Sequence, residues 1–167
     1  MRSLLSIVTL LIVFVAPAAF AEQAIFLIRH AEQELDVEDP PLTEAGLSRA
    51  RSWVGIFAKT NIKAVYTSMK RRTKQTGEII SQGLHIPMES IPRKDVTRLV
   101  SQIRMQNPED RVLIITHKRQ MPKIFKELGL SGEVSEKATF SRSEYGNLFV
   151  FVPKGETGGE VIQLHYE

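Results

Sequence analysis

The sequence contains no cysteine, so neither a disulfide framework nor a thiolate metal site contributes to the fold. An oxidising compartment would therefore neither stabilise nor damage the chain. The formal net charge is only +3 over 167 residues, too small an excess to indicate nucleic-acid binding. The chain also lacks internal repeats and any linker long enough to divide it. We therefore expect one globular domain.

The N-terminal segment differs from the rest. Met1-Arg2 precedes an almost uncharged stretch from Ser3 to Phe20, and Ala19-Phe20-Ala21 places small residues two apart. A basic start, an apolar centre and such a site are typical of a secretory signal. We expect residues 1–21 to be a signal peptide cleaved after Ala21, and residues 22–167 to form a single domain that is periplasmic or secreted in a bacterium, with no stable membrane insertion. An uncleaved membrane anchor is the alternative, because the apolar stretch approaches the length that spans a bilayer.

Short apolar runs alternate with helical periodicity along the remaining chain. Thr43 stands where a helix N-cap is expected, Asp95 begins the third helix, and Pro108 stops it. The predicted strands are 24–28, 64–67, 112–116, a short edge strand at 86–88, and a hairpin of 148–152 with 161–165 around Gly155, Gly158 and Gly159; the predicted helices are 44–59, 71–82 ending near Gly83, 95–106, and 121–128 ending at Gly129. This pattern predicts an α/β fold, a three-layer αβα sandwich with a mostly parallel sheet.

Two of the four histidines directly follow strand-like runs. His30 follows the first run and Arg29, and His117 follows the run that ends at Thr116. A third run leads into Ser68 and a basic segment that contains Arg72. Residues at the carboxyl ends of parallel strands converge on one crevice. Two imidazoles and a guanidinium cluster in one crevice indicate a pocket for a phosphoryl group.

Four blocks of the sequence together resemble the histidine phosphatase superfamily, also called the phosphoglycerate-mutase-like fold. They are Leu27–Glu32 with its Arg-His pair, Asp39–Gly46, Val65–Ser68 followed by Arg72–Thr76, and Ile115–His117. The blocks occur in the family's order within residues 24–120, and the ordered set is specific where any single block is weak. The chain looks most similar to the small secreted members.

The resemblance implies a nucleophilic histidine at His30, which forms a phosphohistidine, and a second histidine, His117, as a cationic or hydrogen-bonding clamp on the same phosphate. Arg29 and Arg72 would bind the phosphoryl oxygens. The chemistry agrees, because a guanidinium fork donates two hydrogen bonds to phosphate and a neutral imidazole is a usable nucleophile. No metal and no cofactor is implied. A metal site on the two histidines is a weak alternative, since no carboxylate or cysteine lies at a ligand-like spacing.

Other residues near these blocks are candidates for binding or structural roles. Thr67 and Ser68 either donate to the phosphate or cap the turn, and Lys118 is a candidate for substrate binding. Lys118-Arg119 replaces the small polar residues found in related secreted proteins, which favours a multiply anionic substrate unless both side chains are simply on the surface. Ala31 stands where many members have glycine. His85, His165 and Arg71 match no functional position, and we interpret them as structural or exposed.

The general acid has no recognisable motif. Glu89 and Asp95 lie in the interval where many members carry this carboxylate, and Glu32 is a weaker third candidate. Without an acid, an enzyme of this type would prefer good leaving groups, including phosphoramidates, over alkyl phosphates.

The sequence thus predicts a metal-independent phosphatase that hydrolyses a phosphomonoester or phosphoramidate through a phosphohistidine. Its partners would be phosphorylated small molecules such as sugar phosphates, or envelope glycolipids such as a lipopolysaccharide core heptose phosphate. A mutase is disfavoured because the short chain leaves little room for inserted segments. The alternative is a phosphate-binding or envelope-sensing protein of the same fold with little or no turnover.

Overall fold

A computed structural model describes residues 23–130, 141, 143–154 and 158–166. The predicted signal peptide, residues 1–21, and Gly155 of the predicted turn lie outside these residues. In the part of the chain that is described, no helix has the length and apolar character needed to cross a membrane.

Helices and strands alternate through the described ranges, as the periodicity predicts. In chain order they are β1 (Ala24–Arg29), α1 (Glu44–Phe57), β2 (Ile62–Ser68), α2 (Arg71–Leu84), β3 (Met88–Ile91), α3 (Val96–Gln106), β4 (Arg111–Thr116), a 3-10 turn (Lys118–Gln120), α4 (Met121–Glu127), β5 (Asn147–Pro153) and β6 (Gly159–His165). The predicted α/β class is confirmed.

The strands form one sheet in the order β3-β2-β4-β1-β5-β6. Strands β3, β2, β4 and β1 run parallel, whereas β5 and β6 run antiparallel to β1 and to each other. Strand β1 pairs with β4 without a register break, from Ala24 opposite Arg111 to Arg29 opposite Thr116. One end of the sheet therefore holds the carboxyl ends of β1, β2 and β4 together with the beginning of β5.

Two apolar layers cover the two faces of this sheet. On one face, Tyr66 and Phe149 of the sheet pack with Ile103 of α3 and Phe125 of α4. On the other face, strand residues pack with Trp53 of α1, which stacks on Phe57, and with Ile80 of α2. Each such fully buried side chain contributes about 1.5–3 kcal/mol relative to an exposed one. The three-layer arrangement holds the strand ends rigidly.

Several predicted boundaries are confirmed at the level of single hydrogen bonds. The hydroxyl of Thr43 accepts from the Gly46 amide at 3.1 Å, and the carboxylate of Asp95 accepts from the Arg98 amide at 3.2 Å. Gly129 has a φ of +93°, which a residue following a helix often needs and glycine adopts without cost.

Two boundaries are wrong. Helix α2 continues past Gly83 and ends at His85, which adopts the left-handed conformation with a φ of +56°. Gly83 is instead required by packing, because a Cβ there would lie 2.7 Å from a methyl carbon of Val54. The edge strand is Met88–Ile91, not residues 86–88, so the glutamate that was expected to follow the strand, Glu89, lies within it.

Two glycines of α1 give a matched test of the packing. A Cβ on Gly46 would overlap the Glu32 carbonyl oxygen, whereas a Cβ on Gly55 would meet nothing within 4 Å. We expect Gly46→Ala to lower the free energy of unfolding by about 1–3 kcal/mol through overpacking. Gly55→Ala should raise it by about 0.5–1 kcal/mol, since alanine loses less backbone entropy in a helix. Urea denaturation of both variants measures this, and equal effects would contradict the packing described.

Candidate active site

The exits of β1 and β4 bring two histidines together. The His30 amide donates to the Thr116 carbonyl at 3.0 Å, which extends the strand pairing by one residue. The imidazole centroids of His30 and His117 lie 5.3 Å apart, with an angle of 61° between the rings. Both residues are buried. The convergence that the sequence predicts at the strand ends therefore exists.

Arg72, in the first turn of α2, places its guanidinium group between these rings. Its Nε donates to Nε2 of His30 at 3.2 Å, and its Nη2 donates to Nδ1 of His117 at 3.3 Å. Asp39 faces the third nitrogen, with 3.6 Å between Oδ1 and Nη1 of Arg72, and lies 3.8 Å from Nζ of Lys70. The same Asp39 oxygen accepts from the backbone amide of Arg71 at 3.2 Å. Asp39 thus ties its loop to the start of α2 and orients Arg72.

These contacts assign the protons of both imidazoles, because a guanidinium group can only donate. Nε2 of His30 accepts from Arg72, so its Nδ1 carries the proton and donates to the Ala31 carbonyl at 2.8 Å. Nδ1 of His117 accepts, so its Nε2 carries the proton and donates to Oγ of Ser68 at 2.8 Å. Both rings are neutral, and the lone pair of His30 Nε2 points towards Arg72.

Hydroxyl groups lock α2 to the strand exits around this pair. Oγ of Ser68 lies 2.7 Å from Oγ1 of Thr73 and also accepts from the Lys70 amide at 3.3 Å. Oγ1 of Thr76 accepts from the Ala31 amide at 3.2 Å and donates to the Arg72 carbonyl at 2.8 Å. Ala31 itself is fully buried, which explains why only a small side chain fits after His30.

Burial strongly favours the neutral form of both histidines. Desolvation is the largest cause that lowers the pKa of His30 to about 3; the hydrogen bond to the Ala31 carbonyl opposes it, and the charges of Arg29 and Arg72 add to it. Desolvation also lowers the pKa of His117 to about 2, followed by the effects of His30, Arg72, Arg93 and Arg29. Of the two roles expected for His117, a neutral hydrogen-bonding clamp is therefore favoured at neutral pH.

Arg29 reaches the same pocket from the last position of β1. Its guanidinium carbon lies 4.0 Å from the ring centre of Tyr145, and its Nη1 donates to the Glu144 carbonyl at 3.2 Å. The Tyr145 ring is 6.1 Å from that of His30. Desolvation is the main cause that lowers the pKa of both Arg29 and Arg72. A bound anion would compensate the charges that water no longer solvates.

The other predicted binding residues occupy different environments. The Thr67 hydroxyl lies 2.8 Å from that of Ser90 in β3, while Ser68 contacts His117 directly. Lys118 is partly buried in the 3-10 turn, and Arg119, not Lys118, lines a cavity beside His117. The roles of these residues in binding stay predictions.

None of the three candidate general acids makes a described contact with the histidines. Oε1 of Glu89 accepts from Gln102 at 2.6 Å, and Asp95 caps α3. Glu32 forms an ion pair with Arg49 at 2.7 Å. Asp39 is a carboxylate that contacts Arg72, and it lies between two cations, Arg72 and Lys70.

Sequence reasoning assigned no role to Asp39, Tyr145 or Arg93. Asp39 lies in a quoted block, but nothing in that block indicates an ion pair with Arg72. Tyr145 reaches the site because β5 runs antiparallel to β1 and begins where β1 ends, which periodicity does not show. Arg93 follows β3, and placing the end of the edge strand three residues too early hid its position at a strand exit.

No group of three or more His, Asp or Glu side chains within the described ranges is arranged to hold a metal ion. The His30–His117 pair therefore has no third ligand of these types in that part of the chain.

Comparison with known proteins gives a family for this geometry. Residues 25–95 match the model of the histidine phosphatase superfamily (branch 1). This match covers less than half of the chain and agrees with the resemblance to the same superfamily that the four sequence blocks show. The expected phosphatase class is confirmed at the level of this family. The matched range ends before His117, which the structure adds to the site. None of the curated proteins matches the chain in sequence.

Solved structures share the fold at low sequence identity. A protein designated as the phosphohistidine phosphatase SixA of Agrobacterium tumefaciens is 19% identical, with a TM-score of 0.65 over 86% of this chain and 97% of its own. A phosphoserine phosphatase of Entamoeba histolytica is 15% identical, with a TM-score of 0.63 over 83% and 94%. A mycobacterial glucosyl-3-phosphoglycerate phosphatase is 11% identical, with a TM-score of 0.68 over 86% and 98%.

The assigned protonation states predict the behaviour of the two rings in solution. In long-range ¹H–¹⁵N NMR spectra, His30 should show a protonated Nδ1 and His117 a protonated Nε2. Neither should titrate between about pH 5 and pH 8, because their pKa values lie far below the ordinary 6.5. Their signals are assigned by comparison with spectra of His30→Asn and His117→Asn. A midpoint near pH 6.5 for either ring would contradict the geometry.

Proposed function

We propose that this protein is a metal-independent phosphatase that transfers a phosphoryl group to Nε2 of His30 and then to water. The observation that carries the proposal is the neutral His30 ring, whose Nδ1–H is bound to the Ala31 carbonyl and whose Nε2 lone pair faces Arg72. A nucleophile in this state needs no base to activate it.

The first step forms one bond and breaks one. Nε2 of His30 bonds to phosphorus as the bond to the leaving group breaks, and the leaving group departs with the electron pair. Arg29 and Arg72 stabilise the charge on the phosphoryl oxygens, and His117 contributes a hydrogen-bonding ring beside them. Water then attacks the phosphohistidine, which releases inorganic phosphate and restores the neutral ring.

The contacts of the carboxylates favour leaving groups that need little help from an acid. Among the described residues, Glu89 accepts from Gln102, Asp95 accepts from the Arg98 amide, Oε1 of Glu32 pairs with Arg49, and Asp39 accepts in all its described contacts. General acid catalysis commonly contributes about 10²–10⁴-fold, so its absence would slow the release of alkoxides most. Phosphoramidates such as phosphohistidine, and phosphate esters of acidic alcohols, are therefore the substrates that this site supports best.

We infer the cellular compartment of the substrate from the N-terminal sequence. If residues 1–21 direct export, the substrates lie outside the cytoplasm, where sugar phosphates and phosphorylated envelope glycolipids are the candidates. The predicted leader supports this part of the proposal.

The nucleophile is tested by hydrolysis of p-nitrophenyl phosphate in the presence of a chelator. We expect His30→Ala to lower kcat/KM by about 10³-fold or more, since it removes the atom that bonds to phosphorus. His85→Asn is the matched control, because asparagine tolerates the left-handed backbone at that helix end. When ³²P-labelled substrate is used to trap the intermediate, His85→Asn should give an acid-labile phosphoenzyme and His30→Ala should give none. Equal activity of the two variants would refute the nucleophile, and saturable phosphate binding without turnover would favour the binding-protein alternative.

The leaving-group preference gives a separate measurement. Across a series of aryl phosphates, the rate of enzyme phosphorylation should fall steeply as the pKa of the phenol rises, by about tenfold or more between p-nitrophenyl and phenyl phosphate. Phosphoramidate should be cleaved efficiently in the same assay. A rate that is independent of the phenol would show that an acid protonates the leaving group, and the reasoning from the carboxylates would then be wrong.

A further inference from the structure

His117 also lines a cavity that is otherwise formed by residues outside the candidate active site. Its volume is about 440 Å³, and it is lined by Arg93, Lys94, His117, Arg119, Gln120 and Lys123. No carboxylate is among these lining residues. Pockets of this size commonly hold small organic ligands.

The four cations of this cavity come from two segments. Arg93 and Lys94 lie between β3 and α3, and Arg119 and Lys123 lie in the 3-10 turn and at the beginning of α4. All four are exposed, and none of their side chains makes an ion pair or a hydrogen bond within the described part of the chain. Four like charges without a counter-ion favour an anion in the space between them.

Buried hydrogen bonds hold the two segments in a fixed relation. Nε2 of Gln120, a buried side chain, donates to the Arg93 carbonyl at 2.7 Å, and the Gln120 amide donates to the His117 carbonyl at 2.8 Å. The nearby carboxylate of Asp95 is turned to the Arg98 amide as a helix cap. The positive charges are therefore held against the catalytic histidine by the fold itself.

Charges at this position also act on the catalytic pocket. Arg93 is one of the cations that lower the pKa of His117, after desolvation, His30 and Arg72. His117 lines the cavity and also contacts Arg72, so the cavity and the candidate active site share this side chain.

We propose that this cavity, lined by Arg93, Lys94, Arg119 and Lys123, binds a second phosphate group of the substrate, so that the preferred substrates are small molecules carrying two phosphates a few atoms apart. Guanidinium and ammonium groups are the side chains that bind phosphate most strongly. The inference rests on the proposed function, because it assumes that the first phosphate occupies the space beside His30.

Direct binding tests the subsite without turnover. The probes are propane-1,3-bisphosphonate and propylphosphonate, which share a carbon chain and resist hydrolysis, titrated calorimetrically into the purified protein at physiological salt. We expect the bisphosphonate to bind at least about tenfold more tightly, the gain expected for a charge-assisted contact. In Arg119→Gln/Lys123→Gln this ratio should fall to about two or less.

Lys59→Gln/Lys63→Gln is the control, since it removes the same number of charges at exposed positions near the opposite end of the sheet. It should keep the wild-type ratio. A ratio near one in the wild type, no binding of either probe, an unchanged ratio in Arg119→Gln/Lys123→Gln, or an equal fall in both variants would each overturn the subsite. An intact ratio in a protein that hydrolyses no aryl phosphate would refute the proposed function alone.

Discussion

The positions of the site residues depend on the parallel pairing of β1 with β4. The two strands end at the same level, with Arg29 opposite Thr116. The next residue of each chain segment is a histidine, so both imidazoles enter the crevice at the sheet edge. Since side chains alternate between the faces of a strand, a slip of one residue would turn one imidazole away and separate the pair. The apolar residues of both strands, buried on both faces, fix this register. The hydrophobic core thus sets the geometry of the polar site.

The cost of burying positive charge explains the contacts that Arg72 and Arg29 make with their neighbours. Burying guanidinium groups is unfavourable unless something offsets the lost hydration. For Arg72 the offset is partial, from Asp39 at the pocket mouth, and for Arg29 the described contacts are a carbonyl and an aromatic face. The ion pair of Arg72 is partly exposed, because the Asp39 side chain is 37% exposed. The two guanidinium groups therefore give the pocket a positive charge, and burial above all, with a smaller contribution from Arg29 and Arg72, keeps His30 unprotonated.

The sequence predicts those features that depend on local pattern. Apolar runs that end at Arg29 and His117 identify strand exits, and Thr43 and Asp95 identify helix starts, because capping and periodicity involve neighbours in the chain. Other contacts depend on tertiary placement. Tyr145 enters the site through the antiparallel position of β5, and His85 ends α2 in a conformation more usual for glycine. The predicted bounds of β3 were wrong for a related reason, since a four-residue edge strand shows little periodicity. Because β3 is Met88–Ile91, Glu89 lies within the strand and not in the loop that follows it.

The related structures share this fold, but their names describe phosphatases with three different substrates. These substrates are phosphohistidine, phosphoserine and glucosyl-3-phosphoglycerate. The fold therefore does not determine the substrate, which has to be recognised by residues beyond the two histidines and two arginines. Under the proposed function, the described residues of this chain place two requirements on the substrate. Its leaving group must need little acid catalysis, since Glu89, Asp95 and Glu32 contact other groups, and it must carry negative charge that the cations beside His117 can bind. A substrate with a second phosphate meets the latter requirement directly, because the energy of its contact with Arg119 and Lys123 is available to hold the first phosphate in line with His30.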